Sequence, residues 1–382
     1  MSRRAALTAA GVAALPAVLA RPDRAQAAIA KRTRVYEVGD ARDGINLRLA
    51  ERPMPKPGPG EVLLKIHATG LNARDLSLMR RVRIFGGPGD SPTRVPLDDN
   101  ACEVVALGSD VTRTAVGERV IVTHFPLWID GDWDDESMSK LDFSVNTDGF
   151  LAEHIVVPAQ GLVKIPDSMS YEDASTLPNA GLTAWHAVVE DGAVRPGETV
   201  LTLGTGGVSV FGFQWAKMLG ARVGVTSSSD DKLTRMVALG ADFTVNYRTT
   251  PDWHKEVLQK TGGRGVDVVL NTVGISEMER CLMACASNGR VMLIGSNPVQ
   301  RGGPATEAVG LREFPRGMIM KGLTIKGVIV GSRRMLEDAV TAAHTNSIKP
   351  VIDRVFPFAE AMDAVRYMES GAKIGKIVIK VA

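Results

Sequence analysis

Residues 203–209, LGTGGVS, decide how this chain folds. They follow the apolar run 199–203 (TVLTL) and precede a segment in which apolar residues have helical spacing. A strand, a glycine turn and a helix in that order are typical of a loop that holds a dinucleotide pyrophosphate at a helix N-terminus. Ser209 stands where a third glycine is usual. The residues predicted to contact the cofactor in this loop are Gly204, Gly206, Gly207 and Val208.

The end of the next predicted strand distinguishes NADP from NAD. An acidic residue about 20 positions after the glycines would bond the ribose 2′-hydroxyl and repel a 2′-phosphate. Here the strand ends in TSSSDDK, so Ser227, Ser228 and Lys232 are predicted to bind a 2′-phosphate, and NADPH is favoured over NADH. Asp230 and Asp231 either turn inward to the ribose, which would favour NADH, or start the next helix as N-cap and first-turn acids.

Strands and helices alternate after residue 157, which implies a doubly wound parallel sheet. Tyr247, after the third of these strands, either flanks the adenosine end of the cofactor or is ordinary turn surface. Residues 34–157 instead read as short strands separated by Gly/Pro turns. We therefore predict an α/β fold, with a Rossmann doubly wound parallel sheet and a second, mainly β domain. The C-terminal strand 373–381 is expected to return to that second domain.

Four further segments have patterns that predict local structure. The polar stretch 131–149 is predicted to be an exposed loop, and 323–331 (LTIKGVIVG) a strand. Residues 278–287 (MERCLMACAS) and 355–371 are predicted to be helices, the second amphipathic.

Composition excludes several classes of protein. A chain of 382 residues suits two domains, and a formal net charge of +2 does not suggest nucleic-acid binding. The cysteines are Cys102, Cys281 and Cys285, an odd number without a CxxC pair, so neither a disulfide framework nor a zinc ribbon is indicated. Core packing is the predicted role of Cys281 and Cys285.

The first 27 residues have the layout of an export signal of the twin-arginine type. Arg3 and Arg4 precede an apolar run, and Ala25-Gln26-Ala27 is a small-residue cleavage pattern. The apolar run is shorter than the ~20 residues of a membrane span, so no span is expected in the mature chain. The protein is therefore predicted to be exported or periplasmic if the leader is genuine. The alternatives are an alanine-rich extension or a start codon assigned too far upstream, which would leave it cytoplasmic.

The chain resembles the medium-chain dehydrogenase/reductase superfamily and, within it, the zinc-independent, quinone-oxidoreductase-like branch. The resemblance runs along nearly the whole chain after the leader. The motifs that carry it are GEVLLKI (60–66), ATGLNARDL (68–76), VVALGSDVTRTAVGERV (104–120), DGFLAEHIVVP (148–158), ASTLPNAGLTAW (174–185), LGTGGVSVFGFQWAK (203–217), GGRGVDVVL (262–270) and KIGKIVI (373–379).

This resemblance implies a GroES-like substrate domain formed by 28–157 and 346–382, and a Rossmann cofactor domain over 158–345. The active site would lie in the cleft between them. It also implies a homodimer, paired edge to edge through 323–331. Thr183 is expected to contact the cofactor, and Ser296 and Asn297 are expected to lie near its nicotinamide.

The same resemblance shows that the ligand positions of a catalytic zinc are altered. Asn72 and Asn179 stand where the family has cysteines, and Leu97-Asp98-Asp99 replaces Gly-His-Glu. Amides are poor zinc ligands, so no metal is predicted. Asp98 and Asp99 are expected to be polar residues beside the cleft, or else to bind some other divalent ion.

Without zinc, the oxygen of a substrate needs hydrogen-bond donors. Asn72 is the predicted catalytic donor, through its side-chain amide; the alternative is an asparagine that stabilises a turn. Asp75 is expected to orient Arg74 or to cap the following helix. The stretch in which the family often has a tyrosine proton donor carries Phe85, so the proton is expected to come from water.

Three functions remain open at this point. The first is an NADPH-dependent reductase that transfers a hydride to an enone, an enal or a quinone. The second is an NAD(P)-dependent alcohol dehydrogenase without zinc. The third is a nucleotide-binding protein without turnover.

Overall fold

The computed structural model describes residues 30–39, 44–80, 94–135, 140–295 and 314–382. The predicted leader, Phe85, Ser296 and Asn297 lie outside the described residues, so the predictions made for them stay predictions. Among the residues described, no helix is long and apolar enough to cross a membrane.

The strands, in chain order, are β1 Arg32–Val38, β2 Leu47–Pro53, β3 Glu61–Leu71, β4 Ala101–Leu107, β5 Arg119–Val122, β6 His154–Pro158, β7 Leu162–Lys164, β8 Thr199–Leu203, β9 Arg222–Ser227, β10 Phe243–Asn246, β11 Val266–Asn271, β12 Cys285–Leu293, β13 Thr324–Gly327, β14 Ile352–Pro357 and β15 Lys376–Lys380. The helices are α1 Ala73–Met79, α2 Tyr171–Ala174, α3 Leu182–Trp185, α4 Gly207–Met218, α5 Asp230–Ala238, α6 Trp253–Lys260, α7 Met278–Ala284, α8 Phe314–Lys321, α9 Arg333–Thr345 and α10 Ala361–Glu369. Single π turns, Leu177–Gly181 and His186–Glu190, flank α3.

Six parallel strands form one sheet in the order β10-β9-β8-β11-β12-β13. This is the Rossmann order, in which the first strand of the series lies near the centre and the chain then extends the sheet on either side. Val200 and Leu201 on β8 are fully buried, as expected of a strand covered on both faces by helices. The predicted doubly wound parallel sheet is confirmed.

A second, mostly antiparallel sheet has the order β14-β15-β3-β4-β5-β7, with β6 also paired to β3. The C-terminal strand β15 lies between β14 and β3, and Ile377 is opposite Leu71. Strands from both ends of the chain therefore share this sheet. The exact domain boundaries remain a prediction.

The helix predicted over 278–287 extends too far at its C-terminal end. Helix α7 ends at Ala284, and Cys285 opens strand β12 because its backbone pairs with Val266 of β11. Sheet pairing here overrides a helical pattern of apolar residues. Cys281 and Cys285 are both buried in the core, and burial raises the pKa of each thiol.

Three other local predictions also need correction. The segment predicted as one helix over 355–371 is divided, because its first residues belong to β14 and the helix α10 begins only at Ala361. In 323–331 the strand covers only Thr324–Gly327. The stretch 131–149 is not wholly exposed, since Phe143 is buried with its ring 4.8 Å from that of Phe150.

Gly224 of β9 allows a direct test of how the ring of Phe243 packs against the parallel sheet. A Cβ atom at this position would lie 2.2 Å from Cζ of Phe243, so Gly224→Ala forces the aromatic ring out of its place. We expect a loss of about 1–3 kcal/mol in unfolding free energy, as for other overpacked cores. Gly327→Ala is the matched control, because a Cβ there meets nothing within 4 Å. Thermal denaturation followed by circular dichroism measures both variants; equal melting temperatures for the two would contradict this packing.

Candidate active site

The glycine loop between β8 and α4 leaves open space for a ligand. Gly204 has φ +78°, a conformation that residues with a side chain rarely adopt. Gly206 is the N-cap of α4, and a Cβ atom there would meet nothing within 4 Å. A pyrophosphate can therefore come close to the backbone of this loop and to the N-terminus of α4. The residues present fit a dinucleotide.

Gly207 and Ser209 of this loop serve packing. A Cβ on Gly207 would lie 2.7 Å from Cδ of Lys376 and 3.2 Å from Cβ of Ala180. The hydroxyl of Ser209 donates to the carbonyl of Leu203 at 2.7 Å, which ties α4 to β8 at the point where the third glycine is usual. Val208 is half-buried and packs against the core of the parallel sheet.

Ser227 and Ser228, predicted for the 2′-phosphate, and Tyr247, predicted for the adenosine end, lie at the carboxyl ends of β9 and β10. The backbone N–H of Tyr247 donates to the carbonyl of Ser227 at 3.0 Å, so these two predicted residues are adjacent. Ser228 follows directly, half-buried. The ammonium group of Lys232 donates to the carbonyl of Gly371, which brings the C-terminal segment to the same place.

Both acids that follow β9 belong to helix α5. Ser229 is the N-cap of α5, where its hydroxyl accepts from the N–H of Lys232. Asp230 and Asp231 are both first-turn residues, so the N-cap role expected for an aspartate is wrong. The carboxylate of Asp230 accepts from the amide of Asn246 at 2.7 Å.

A buried polar network lies where the altered zinc positions were predicted. The Asn72 amide nitrogen donates to Asp98 and to Asp99, each at 2.9 Å. The side chain of Asn179 donates to Asp98 at 2.5 Å and its backbone N–H to Asp99 at 2.9 Å. Thr183 donates to the carbonyl of Asn179 at 2.7 Å. The structure therefore brings these residues together, and it places both aspartates fully inside the protein.

The side chain of Asn72 is fully hydrogen-bonded within the protein. Both hydrogens of its amide point to carboxylates, and its Oδ1 accepts from Lys376 at 2.6 Å. Donation to a substrate oxygen would break one of these bonds.

Three cations balance the buried carboxylates. Lys376 contacts Asp99 at 2.6 Å and is itself buried. Arg74 contacts Asp98 at 3.0 Å and Asp142 at 2.9 Å. The ring of His124 lies between the same two carboxylates, with Nδ1 3.0 Å from Asp98 and Nε2 3.2 Å from Asp142.

The charges of this network shift the pKa values of its members in opposite directions. Burial opposes ionisation of Asp98, but the hydrogen bond from His124 and the charge of Arg74 hold its pKa below the usual range. Burial raises the pKa of Asp99, and the neighbouring charge of Asp98 raises it further. Burial and Arg74 lower the pKa of His124, while the carboxylates of Asp142 and Asp98 raise it more, so the net shift is upward.

Asp75 caps the helix, as one of its two predicted roles required. Its carboxylate accepts from the backbone N–H of Asn72 at 2.6 Å. Burial and the charge of Asp98 raise the pKa of Asp75 well above its ordinary value.

Sequence reasoning missed two members of the site. Lys376 stands inside the apolar strand KIVIK, and a lysine in such a strand requires a buried partner, which is the signal that was available. Asp142 lies in the segment predicted to be an exposed loop, and nothing in its local sequence indicates contact with Arg74.

The donor set does not fit a zinc ion. Of the three family ligand positions only Asp98 carries a good ligand, and its oxygens are bonded to amide, guanidinium and imidazole groups. Within the ranges that the structure describes, no three His, Cys, Asp or Glu side chains are grouped to hold a metal ion.

Comparison with known proteins agrees with this architecture. Residues 58–167 match the family described as alcohol dehydrogenase GroES-like domain, and residues 239–379 match the family described as zinc-binding dehydrogenase. A zinc-type alcohol dehydrogenase-like protein of Schizosaccharomyces pombe is 35% identical over 91% of this chain and 99% of its own length. An alcohol dehydrogenase of Rhizobium meliloti is 30% identical over 88% of this chain and 96% of its own length.

A solved structure described as an NAD-dependent alcohol dehydrogenase superimposes with a TM-score of 0.77. It is 32% identical and covers 91% of this chain and 100% of its own. The chain therefore belongs to the medium-chain dehydrogenase/reductase superfamily, as an alcohol dehydrogenase-like oxidoreductase of a family that uses a nicotinamide cofactor.

Proposed function

We propose that this protein is a zinc-independent, NADPH-dependent reductase that transfers a hydride to an activated C=C bond, in an enone or enal, or to a quinone. The observation that supports it is the network around Asp98, because guanidinium and imidazole groups surround the one good ligand among the altered zinc positions. The positive charge of these side chains would then stabilise the substrate oxygen, as the metal ion does in a metal enzyme.

The cofactor would be held along the edge of the parallel sheet. Residues Gly204 and Gly206 would hold the pyrophosphate, and Ser227 with Lys232 the 2′-phosphate. When bound, the nicotinamide supplies the hydride. Thr183, which is bonded to Asn179, would lie at the nicotinamide end beside the charged network.

Arg74 is the group best placed to stabilise the substrate oxygen. Negative charge develops on that oxygen as the neighbouring carbon system accepts a hydride, and preorganised donors lower its energy. Both amide hydrogens of Asn72 are engaged. Arg74 is also bonded, to Asp98 and Asp142, but a guanidinium carries five N–H donors and this side chain is 19% exposed. Asn72 then acts as a positioning residue that holds Asp98 and Lys376.

Alcohol oxidation without zinc is the second candidate, and the names of the relatives favour it. It needs a group that takes the hydroxyl proton. His124 is the nearest imidazole, but its two nitrogens face Asp98 and Asp142, and Arg74 lies 2.6 Å from Nε2. It offers no free lone pair to an alcohol, so reduction is the better-supported direction.

The direct experiment follows consumption of NADPH by absorbance, with p-benzoquinone and cyclohexenone as acceptors and a panel of primary and secondary alcohols with NADP⁺ in the reverse direction. We expect acceptor-dependent oxidation of NADPH, slower oxidation of NADH, and no alcohol oxidation above background. Faster alcohol oxidation would replace this proposal by the second candidate. Binding of NADPH without any turnover would favour a nucleotide-binding protein.

Replacement of Arg74 tests the role assigned to it. Removing one donor from a developing oxyanion typically lowers kcat by about 10²–10³-fold, so we expect a loss of this order in Arg74→Gln. Arg74→Lys keeps the charge that Asp98 and Asp142 require and should retain part of kcat. NADPH affinity should be unchanged in both variants, because Arg74 is placed at the substrate.

The matched control is Arg334→Gln, which removes an exposed guanidinium paired with Asp338. Melting temperatures of all variants separate a catalytic loss from unfolding. If Arg74→Gln is folded and turns over at the unmodified rate, Arg74 is not the oxygen donor.

A further inference from the structure

Two lysines converge on the turn that precedes β15. The ammonium group of Lys373 donates to the carbonyl of Gly375 at 3.0 Å, and that of Lys232 donates to the carbonyl of Gly371. Both side chains are half-buried. Two lysine amines, one from the turn 371–375 and one from helix α5, therefore lie at this turn.

This turn is fixed against the glycine loop of the cofactor site. The backbone N–H of Gly375 donates to the carbonyl of Thr205 at 3.0 Å, and Gly375 forms a β-bridge with Gly206. Gly375 has φ +69°, which favours glycine at this contact. Lys373 thus stands two residues from a direct backbone contact with the loop expected to hold a pyrophosphate.

The two lysine amines at this turn are not paired with carboxylates in the described part of the chain. Lys376, the next lysine along the chain, is paired with Asp99, but over the described part of the chain neither Lys373 nor Lys232 forms an ion pair with an acid. The acid that acts on both from a distance is Asp353, and it is already bonded by Arg235 at 3.0 Å and by the hydroxyl of Tyr367 at 2.6 Å.

Burial and the positive charges of Lys376 and Lys232 lower the pKa of Lys373 to about 7, against a weaker opposing effect of Asp353. Burial also lowers the pKa of Lys232, where Asp353 opposes the effect and Arg235 adds to it. A nearby anion would reverse the shift at Lys373, because it favours the charged form.

We propose that Lys373 binds the pyrophosphate of the dinucleotide and that its amine takes up a proton from solvent when the dinucleotide binds. Cofactor affinity is then linked to pH. The inference rests on the nucleotide binding of the proposed function. It applies equally to NADH and NADPH, which share the pyrophosphate, and it adds a residue that neither the glycine motif nor the strand after it indicates.

The sign of the linkage follows from the charge states. Below about pH 7 the amine of Lys373 is already protonated in the free protein, so binding adds no proton. Above about pH 7 binding has to add one, and affinity falls as pH rises, by at most about tenfold per pH unit. Proton uptake therefore grows from near zero at about pH 6 toward one at about pH 8.

Isothermal titration calorimetry in buffers of different ionisation enthalpy measures this uptake directly. NADH is the first probe, because the 2′-phosphate of NADPH carries a second ionisation near about pH 6 of its own. At about pH 8 we expect uptake of nearly one proton per NADH, and an affinity about tenfold weaker at about pH 8.5 than at about pH 7. NADPH should show the same uptake at about pH 8.

Two variants distinguish the effect of a positive charge at position 373 from the effect of proton uptake by the Lys373 amine. Lys373→Arg keeps a permanent charge, so its affinity should be independent of pH and its proton uptake zero. Lys373→Met should also show no uptake, with weaker binding at about pH 7. Lys380→Met, which removes an exposed lysine of the following strand β15, should keep the uptake of the unmodified protein.

Several outcomes would overturn the inference. They are binding of NADH without proton uptake at about pH 8, uptake that persists in Lys373→Met, and uptake with NADPH alone, which would place the contact at the 2′-phosphate. Absence of binding by either nucleotide would overturn both this inference and the proposed function. Proton-linked binding without reduction of any acceptor would leave the inference standing and remove the proposed reductase activity.

Discussion

Two adjacent carboxylates, Asp98 and Asp99, are fully buried, and the rest of the site is arranged to compensate them. An unpaired buried carboxylate costs several kcal/mol, so each needs a cation and hydrogen-bond donors. Asp98 is paired with Arg74 and His124, and Asp99 is paired with Lys376. Because these partners come from different parts of the chain, the pair holds together the loop after β3, the strand β15 and the turn before α3.

The same constraint connects the charged network to the cofactor loop. The stem of Lys376 passes Gly207 so closely that a Cβ atom there would overlap it, and Gly375 forms a backbone bridge to Gly206. Asp99 in turn needs Gly70, where a Cβ would lie 2.8 Å from its Oδ2. Glycines near the site therefore serve two purposes: some leave room for a ligand, and others leave room for buried charges.

Much of this architecture follows from the sequence, because its main signals are local. The alternation of strands and helices after residue 157 predicts the parallel sheet, and the resemblance to the superfamily predicts which side chains meet at Asn72, Asp98 and Asn179. Long-range contacts were not predictable in this way. Lys376 is 277 residues from Asp99, and no local pattern identifies its partner. Pairing between strands moved Cys285 from a predicted helix into β12, which is again a contact between distant segments.

We propose that buried side-chain cations take the place of a metal beside Asp98. To test this proposal, the purified protein is equilibrated with excess zinc, unbound metal is removed, and zinc per chain is measured by mass spectrometry alongside quinone reduction by NADPH. We expect far less than one zinc per chain and an unchanged rate, because the oxygens of Asp98 are already bonded and the two other ligand positions are amides. One tightly bound zinc per chain, together with a faster reaction, would contradict it.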